Sequence, residues 1–295
     1  MTAEFMFERV ALIGIGLINS SIARFMKRDG LAREIVIYSR RKSTADKAME
    51  LGLGDRAETN MATAVEGADL VILGAPVGAN TAIAEAIGPH LMPGAIVTDV
   101  GSVKGAVIRH VAPHLPKGVH LVPAHPVAGT EHSGPEAGFA ELFENHWCIL
   151  TPPEGCDPTA VEKIAEFWRH AGSMIDIMDA AHHDKVLAIT SHLPQLIAYN
   201  IVGTMLDIEH VTDREVVKYA AGGFRDFTRI AASDPEMWRD VFLNNQEAVL
   251  EMLGRFTEDL AVLQRAIRWG DDKALEELFT RTRGIRRDLI AAKQV

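Results

Sequence analysis

The 295-residue chain has only two cysteines, Cys148 and Cys156, too few for a disulfide framework or a cysteine zinc site. Aromatic residues make up 6% of it, and no apolar stretch approaches the roughly 20 residues of a membrane helix. Basic residues are in deficit, 30 Lys and Arg against 40 Asp and Glu, for a formal net charge of −10. That balance argues against a nucleic-acid or anionic-membrane partner, either of which favours a basic surface. The N-terminal residues Met1 to Arg9 lack a basic region followed by an apolar run, so the expectation is a soluble, reduced, cytoplasmic protein. An acidic protein that binds an anion needs a locally basic pocket.

What is present is a repeating alternation. Val10–Ile13, Ile35–Tyr38, Leu70–Leu73, Ala95–Thr98, His120–Pro123 and Trp147–Leu150 are short apolar runs, each stopped by Gly, Pro or polar residues. They read as buried strands joined by crossover helices, hence a parallel, doubly wound α/β sheet. After about residue 180 the spacing turns helical: Val186, Ile189, Leu193, Leu196, Ile197 and Ile201, with Pro194 expected to bend the helix. Val249, Leu253, Phe256, Leu260, Leu263 and Ile267 form a heptad-like seam on a helix expected over about 236–269. Such a seam is buried either within its own helical domain or in a two-fold dimer. The division expected is a dinucleotide-binding domain over 1–179 and a helical substrate and dimerisation domain over 180–295.

Gly14-Ile15-Gly16-Leu17-Ile18-Asn19 follows the first strand and opens a helix. The first glycine permits the tight turn, the second lets backbone approach a pyrophosphate, and helix N–H groups hold the charge. Asn19 occupies the third position, where Gly or Ala is usual. A side chain there should crowd the packing or the pyrophosphate, so Asn19→Gly is expected to tighten cofactor binding. The second strand ends in Ser39-Arg40-Arg41 rather than an acidic residue that would bind a ribose 2′-hydroxyl. Unless these arginines are only solvated surface groups, they lean towards NADP or dual use, with NAD open. Ala75 and Pro76, just past the third apolar run, join the candidate cofactor contacts.

Three polar clusters lie downstream: residues 99–104 with Ser102, 125–131 with His125, Thr130 and Glu131, and 222–231 with Arg225, Asp226 and Arg229. A His past a strand end suits proton removal from a hydroxyl during hydride transfer. Arginines in a Gly-rich segment suit a carboxylate.

Through Gly-Ser-Val-Lys (101–104), His-Pro-Val-Ala-Gly-Thr-Glu (125–131), Ser-His-Leu-Pro (191–194), Gly-Phe-Arg-Asp-Phe-Thr-Arg (223–229) and Asp-Pro-Glu-Met-Trp (234–238), the chain resembles the prephenate/arogenate dehydrogenases of tyrosine biosynthesis along nearly its whole length. The resemblance implies a Rossmann-like domain followed by an all-helical dimerisation domain. It also implies oxidative decarboxylation of a cyclohexadienol, with hydride passing to NAD(P) and the ring carboxylate leaving as CO2. By the match, His125 accepts the hydroxyl proton and Ser102 supports the hydroxyl or the imidazole. Arg229 binds a substrate carboxylate, and His192, Thr130, Glu131, Asp226 and Trp238 line or gate the pocket, with Arg225 beside them.

Structural alternatives stay open: Ser102 as a helix N-cap, Arg225 in an ion pair, His192 and Trp238 as core. Many relatives read His at the fifth position of Ser-His-Leu-Pro-His, where this chain has Gln195. The resemblance puts that side chain near the substrate's three-carbon tail, so Gln195 is expected to relax or shift preference towards arogenate. His182-His183-Asp184 looks metal-like but has no further ligand set. Two rival readings are a β-hydroxyacid dehydrogenase, whose acid/base lysine would have to be Lys185 or Lys218, and a nucleotide sensor without catalysis.

Overall fold

The computed structural model describes residues 5–209, 219 and 221–291; Lys218 lies outside them. The chain falls into two units, Met1–Gln246 and Glu247–Val295.

In the first unit, β1 (Phe7–Ile13), α1 (Leu17–Asp29), β2 (Ala32–Tyr38), α2 (Lys42–Glu50), β3 (Arg56–Glu58), α3 (Met61–Val65), β4 (Leu70–Leu73), α4 (Asn80–Ile87), β5 (Ile96–Asp99), α5 (Lys104–Val111) and β6 (His120–Leu121) follow in turn. The strands pair in the order β3-β2-β1-β4-β5-β6, all parallel. Both faces are covered, which is why the strands read as continuous apolar runs. Along β1, Val10 and Leu12 pack into one core cluster, Ala11 and Ile13 into the other. The order reverses between β1 and β4, the place where an open α/β sheet presents its ligand crevice. Register puts Ile13 opposite both Tyr38 and Leu73, and Leu73 opposite Asp99. The turns after β1, β4 and β5 therefore emerge side by side.

Trp147–Leu150 does not join this sheet. As β8 it forms a second sheet with β7 (Ala124–Pro126), antiparallel, and β9 (Met174–Ile177), parallel. An apolar run reports burial but not the direction of its partner, so the expectation of one parallel sheet needs this correction. Between β8 and β9, α6 (Pro158–His170) is capped by Asp157, whose carboxylate accepts from Thr159 N–H at 2.8 Å. The Phe167 and Trp168 rings on α6 pack edge-on, with Phe143 meeting Trp168 in the same way.

From Ala180 onward only helices are found among the described residues. α7 (Ala180–Leu187) passes through a π-helical turn, Ala188–His192, into α8 (Leu193–Glu209). The distortion sits just before Pro194, which has no N–H to give. The run Ala180–Asp207 is long and apolar enough by composition to cross a bilayer, with mean hydropathy 1.2 over its most apolar window, a third of it buried. That revises the expectation that no stretch approaches such a length. Its buried polar groups His183, Asp184, His192 and Gln195 are hydrogen-bonded within the unit, as in the core helix of a folded domain.

The helix expected from about Glu236 to Trp269 is two helices, Pro235–Asn244 and Gln246–Trp269, interrupted at Asn245 (φ −115°, ψ 35°). Apolar spacing cannot register such a break. In the second unit, Gln246–Trp269 and Asp272–Ala291 are joined at Gly270 (φ 65°), and Ile267, Trp269, Phe279 and Ile285 are exposed.

Candidate active site

A cleft of about 380 Å³ opens where the turns after β1, β4 and β5 emerge. One wall is the N-terminus of α1, with Gly16, Leu17 and Ile18 lining the space. Gly14 holds φ +89°, a left-handed conformation natural to glycine, and a Cβ there would press within 3.0 Å of the Gly74 carbonyl. A Cβ at Gly16 would meet nothing within 4 Å. That helix end carries no side-chain cap and no acidic residue in its first turn, leaving its N–H groups for an anion. The residues fit a dinucleotide pyrophosphate.

Asn19 does not line the cleft, and the expected crowding does not arise. Its side chain is buried, donating from Nδ2 to the Gly14 carbonyl at 2.8 Å, in the space left by the missing side chain of Gly74. Ala75 and Pro76 line the cleft. Ile15 is buried beneath the turn. Ser39 is buried at the end of β2, while Arg40 and Arg41 are exposed and form no ion pair among the described residues.

Ser102, His125, Thr130 and Glu131 line the same cleft. Ser102 does not cap α5: the N-cap is Val103, and the Lys104 and Gly105 N–H groups donate to the Asp184 carboxylate at 2.8 and 2.9 Å. Arg229 Nη1 pairs with Glu131 Oε2 at 3.2 Å at the rim, while Arg225 and Asp226 are exposed on the helix Gly222–Thr228. Ser233, Asp234 and Met237 are also among the lining residues. Trp238, one residue on, packs its ring 6.1 Å from that of His192 rather than facing the space.

His192 is fully buried; Asn245 Nδ2 meets its Nδ1 at 3.1 Å and its Nε2 has no partner. Burial lowers its pKa to about 4. Gln195 is buried outside the cleft lining and donates to the Ile230 carbonyl at 2.7 Å. Lys185 is exposed on α7, away from the lining.

Behind the cleft wall lies a polar network that sequence reasoning largely missed. His125 Nδ1 is 2.8 Å from His183 Nε2, and His183 Nδ1 is 2.9 Å from Asp184 Oδ1. Beneath them the fully buried Lys104 donates to Asp99 at 2.5 Å and to the Ala124 carbonyl at 2.6 Å. Both Asp99 oxygens also accept backbone N–H groups, from Gly101 and Ala124. Burial pushes Asp99 up and Lys104 down, each opposed by attraction to the other. Burial, with His183 and Lys104 nearby, holds His125 well below the usual histidine range. It is a buried, neutral imidazole lining the cleft, the state in which a base accepts a proton. The one available signal was His182-His183-Asp184, which reads as metal-like; among the described residues no cluster of three such ligands forms a metal site.

Known proteins carry the same organisation. The family described as prephenate dehydrogenase, nucleotide-binding domain, matches residues 22–177, and its dimerization domain matches 179–281. The chain is 43% identical to the cyclohexadienyl dehydrogenase of Zymomonas mobilis, over 92% of this chain and 93% of that one. Its fold is similar to the crystal structure of prephenate dehydrogenase from A. aeolicus in complex with hydroxyphenyl propionate and NAD+, with TM-score 0.88 and 33% identity, covering 98% of this chain and all of the other. Synechocystis arogenate dehydrogenase is similar over 95% of this chain and 99% of its own, with TM-score 0.79 and 29% identity. A helix end that fits a pyrophosphate and a neutral His lining one cleft, in a chain whose two parts each match a domain of the family, lead to one conclusion: the chain belongs to the prephenate dehydrogenase family.

Proposed function

We infer that the protein is an NAD(P)-dependent prephenate/arogenate dehydrogenase, converting prephenate to 4-hydroxyphenylpyruvate, arogenate to tyrosine, or both. The observation that carries the reading is that one cleft is lined by both the uncapped α1 terminus and His125 with Ser102.

The turn Gly14 to Ile18, with Ala75 and Pro76, would hold the dinucleotide, which supplies the acceptor for hydride lost from the hydroxyl-bearing ring carbon. His125 takes the proton of that hydroxyl. When the ring carboxylate leaves as CO2, its bonding electrons enter the ring and the proton returns from His125 to the phenolic oxygen, so no net proton is released. Ser102 orients the hydroxyl. Arg229, released from Glu131 when an anion arrives, binds a substrate carboxylate, a charge-assisted pairing suited to its planar fork. Thr130, Glu131 and Asp226 shape the entrance with Arg225, and His192 and Trp238 close the inner end.

The unpaired guanidiniums of Arg40 and Arg41 beside Ser39 support NADP use alongside NAD. Cys148 and Cys156 are free thiols, as suits a cytoplasmic enzyme. The match of the C-terminal helices to a dimerization domain, with their exposed apolar residues, supports a homodimer.

Absorbance at 340 nm with prephenate and with arogenate, each with NAD and NADP, tests the reading in four traces. Turnover in any pairing supports it and ranks substrates and cofactors; four silent traces with cofactor binding intact would overturn it.

A further inference from the structure

We propose that His183, anchored by Asp184, is a positioning residue that sets the tautomer of His125 and leaves its Nε2 as the lone-pair nitrogen facing the cleft. The proposal rests on His125 acting as the base. It follows from donor and acceptor counting along one chain of contacts.

Asp184 accepts from two backbone N–H groups of α5 as well as from His183. Burial pushes its pKa up, but these hydrogen bonds outweigh that and hold it below the usual carboxylate range. An ionised carboxylate only accepts, so His183 Nδ1 carries a hydrogen. Burial holds His183 low despite Asp184, so it is neutral and its Nε2 bears a lone pair. That lone pair lies 2.8 Å from His125 Nδ1. His125 Nδ1 must then be the donor, and its second nitrogen is free to take a proton.

During turnover the substrate O–H breaks and an N–H forms at His125 Nε2. The resulting imidazolium still donates from Nδ1 to His183, whose far side faces the Asp184 anion. Other groups around the pair are Lys104 and Asp99 below, His192 from the π-helical turn, and the Cys148 thiol on β8. Lys104 opposes the imidazolium, which makes the carboxylate-backed acceptor the group that stabilises it.

Two measurements test this. In 15N-histidine-labelled wild-type enzyme, long-range proton–nitrogen spectra should show His125 with a protonated Nδ1 and an unprotonated Nε2; the reverse assignment would overturn the proposal. His183→Phe, which removes the acceptor, should lower kcat by about 100-fold or more and move the acid limb of kcat to lower pH, with cofactor KM little changed. His183→Gln, whose side-chain oxygen can still accept, should recover much of the loss. Equal losses in both variants with an unmoved acid limb would make His183 merely structural. If neither variant folds, the wild-type spectrum decides. Wild-type enzyme silent on both cyclohexadienols would sink the assigned reaction separately, since the spectrum does not depend on it.

Discussion

Asn19 on α1 and Gly74 in the turn after β4 are complementary in volume: the amide of one occupies the space that a side chain on the other would need. A Cβ at Gly74 would collide with that amide. Asn19 also ties the first turn glycine, through the bond to the Gly14 carbonyl. Removing it should weaken cofactor binding, opposite to what the motif alone suggests. A bond of about 1 kcal/mol corresponds to roughly fivefold in Kd. Calorimetric titration of Asn19→Gly with NAD+ and NADP+ checks the sign. Gly74→Ala should weaken binding more, and the double variant should bind better than Gly74→Ala alone. If it does not, the two positions are not coupled.

Gln195 spends its donor on the Ile230 carbonyl, the residue after Arg229. Its effect on substrate therefore passes through the placement of that arginine. Gln195→His should raise KM for prephenate and arogenate together and leave their kcat/KM ratio unchanged. A shift in the ratio would mean that this side chain reads the substrate tail directly.

Arg229→Ala should raise substrate KM at least tenfold, the loss of a charge-assisted bond worth about 1.5–3 kcal/mol, without altering cofactor KM. Unchanged substrate KM would assign the carboxylate to another group.

Three buried histidines make the fold sensitive to acid. His192 falls from 6.5 to about 4 in the folded protein, and burial also lowers His125 and His183. Below 6.5 the unfolded chain binds protons that the folded chain does not, so stability rises with pH across this window. The contribution is fully present above 6.5 and is lost as pH falls towards 4, with His192 alone worth about 3 kcal/mol. Urea midpoints at pH 7, 6 and 5 should decline, and His192→Asn should flatten the decline. A midpoint independent of pH over that range would contradict the buried neutral state.

Lys104→Met should be strongly destabilising, by about 3–5 kcal/mol, because it leaves Asp99 buried without its cation. Lys104→Met with Asp99→Asn should recover part of that loss, measured by the same urea titration.

The parallel sheet and the phosphate turn were legible in the sequence because both are local: an apolar run, a glycine turn and a helix lie within 20 residues. Ser102 was placed for a related reason, since it follows β5, whose end borders the crevice; His125, expected just past a strand end, instead lies within β7 of the second sheet. The partnership of His125 with His183 spans 58 positions and that of Asp184 with the α5 terminus about 80, and no periodicity encodes either. The break at Asn245 was hidden because apolar spacing continues across it. The Asn19 substitution looked damaging because the compensating residue, Gly74, lies 55 positions away in the turn after β4.

Asp184 binds both the first N–H groups of α5 and the imidazole behind His125. A single carboxylate thus joins the folding of one helix to the chemistry of the cleft. Substitutions elsewhere in the pocket can trade turnover against robustness by degrees. At this position the two fail together, so adaptation of the enzyme to new conditions has to proceed around Asp184 rather than through it.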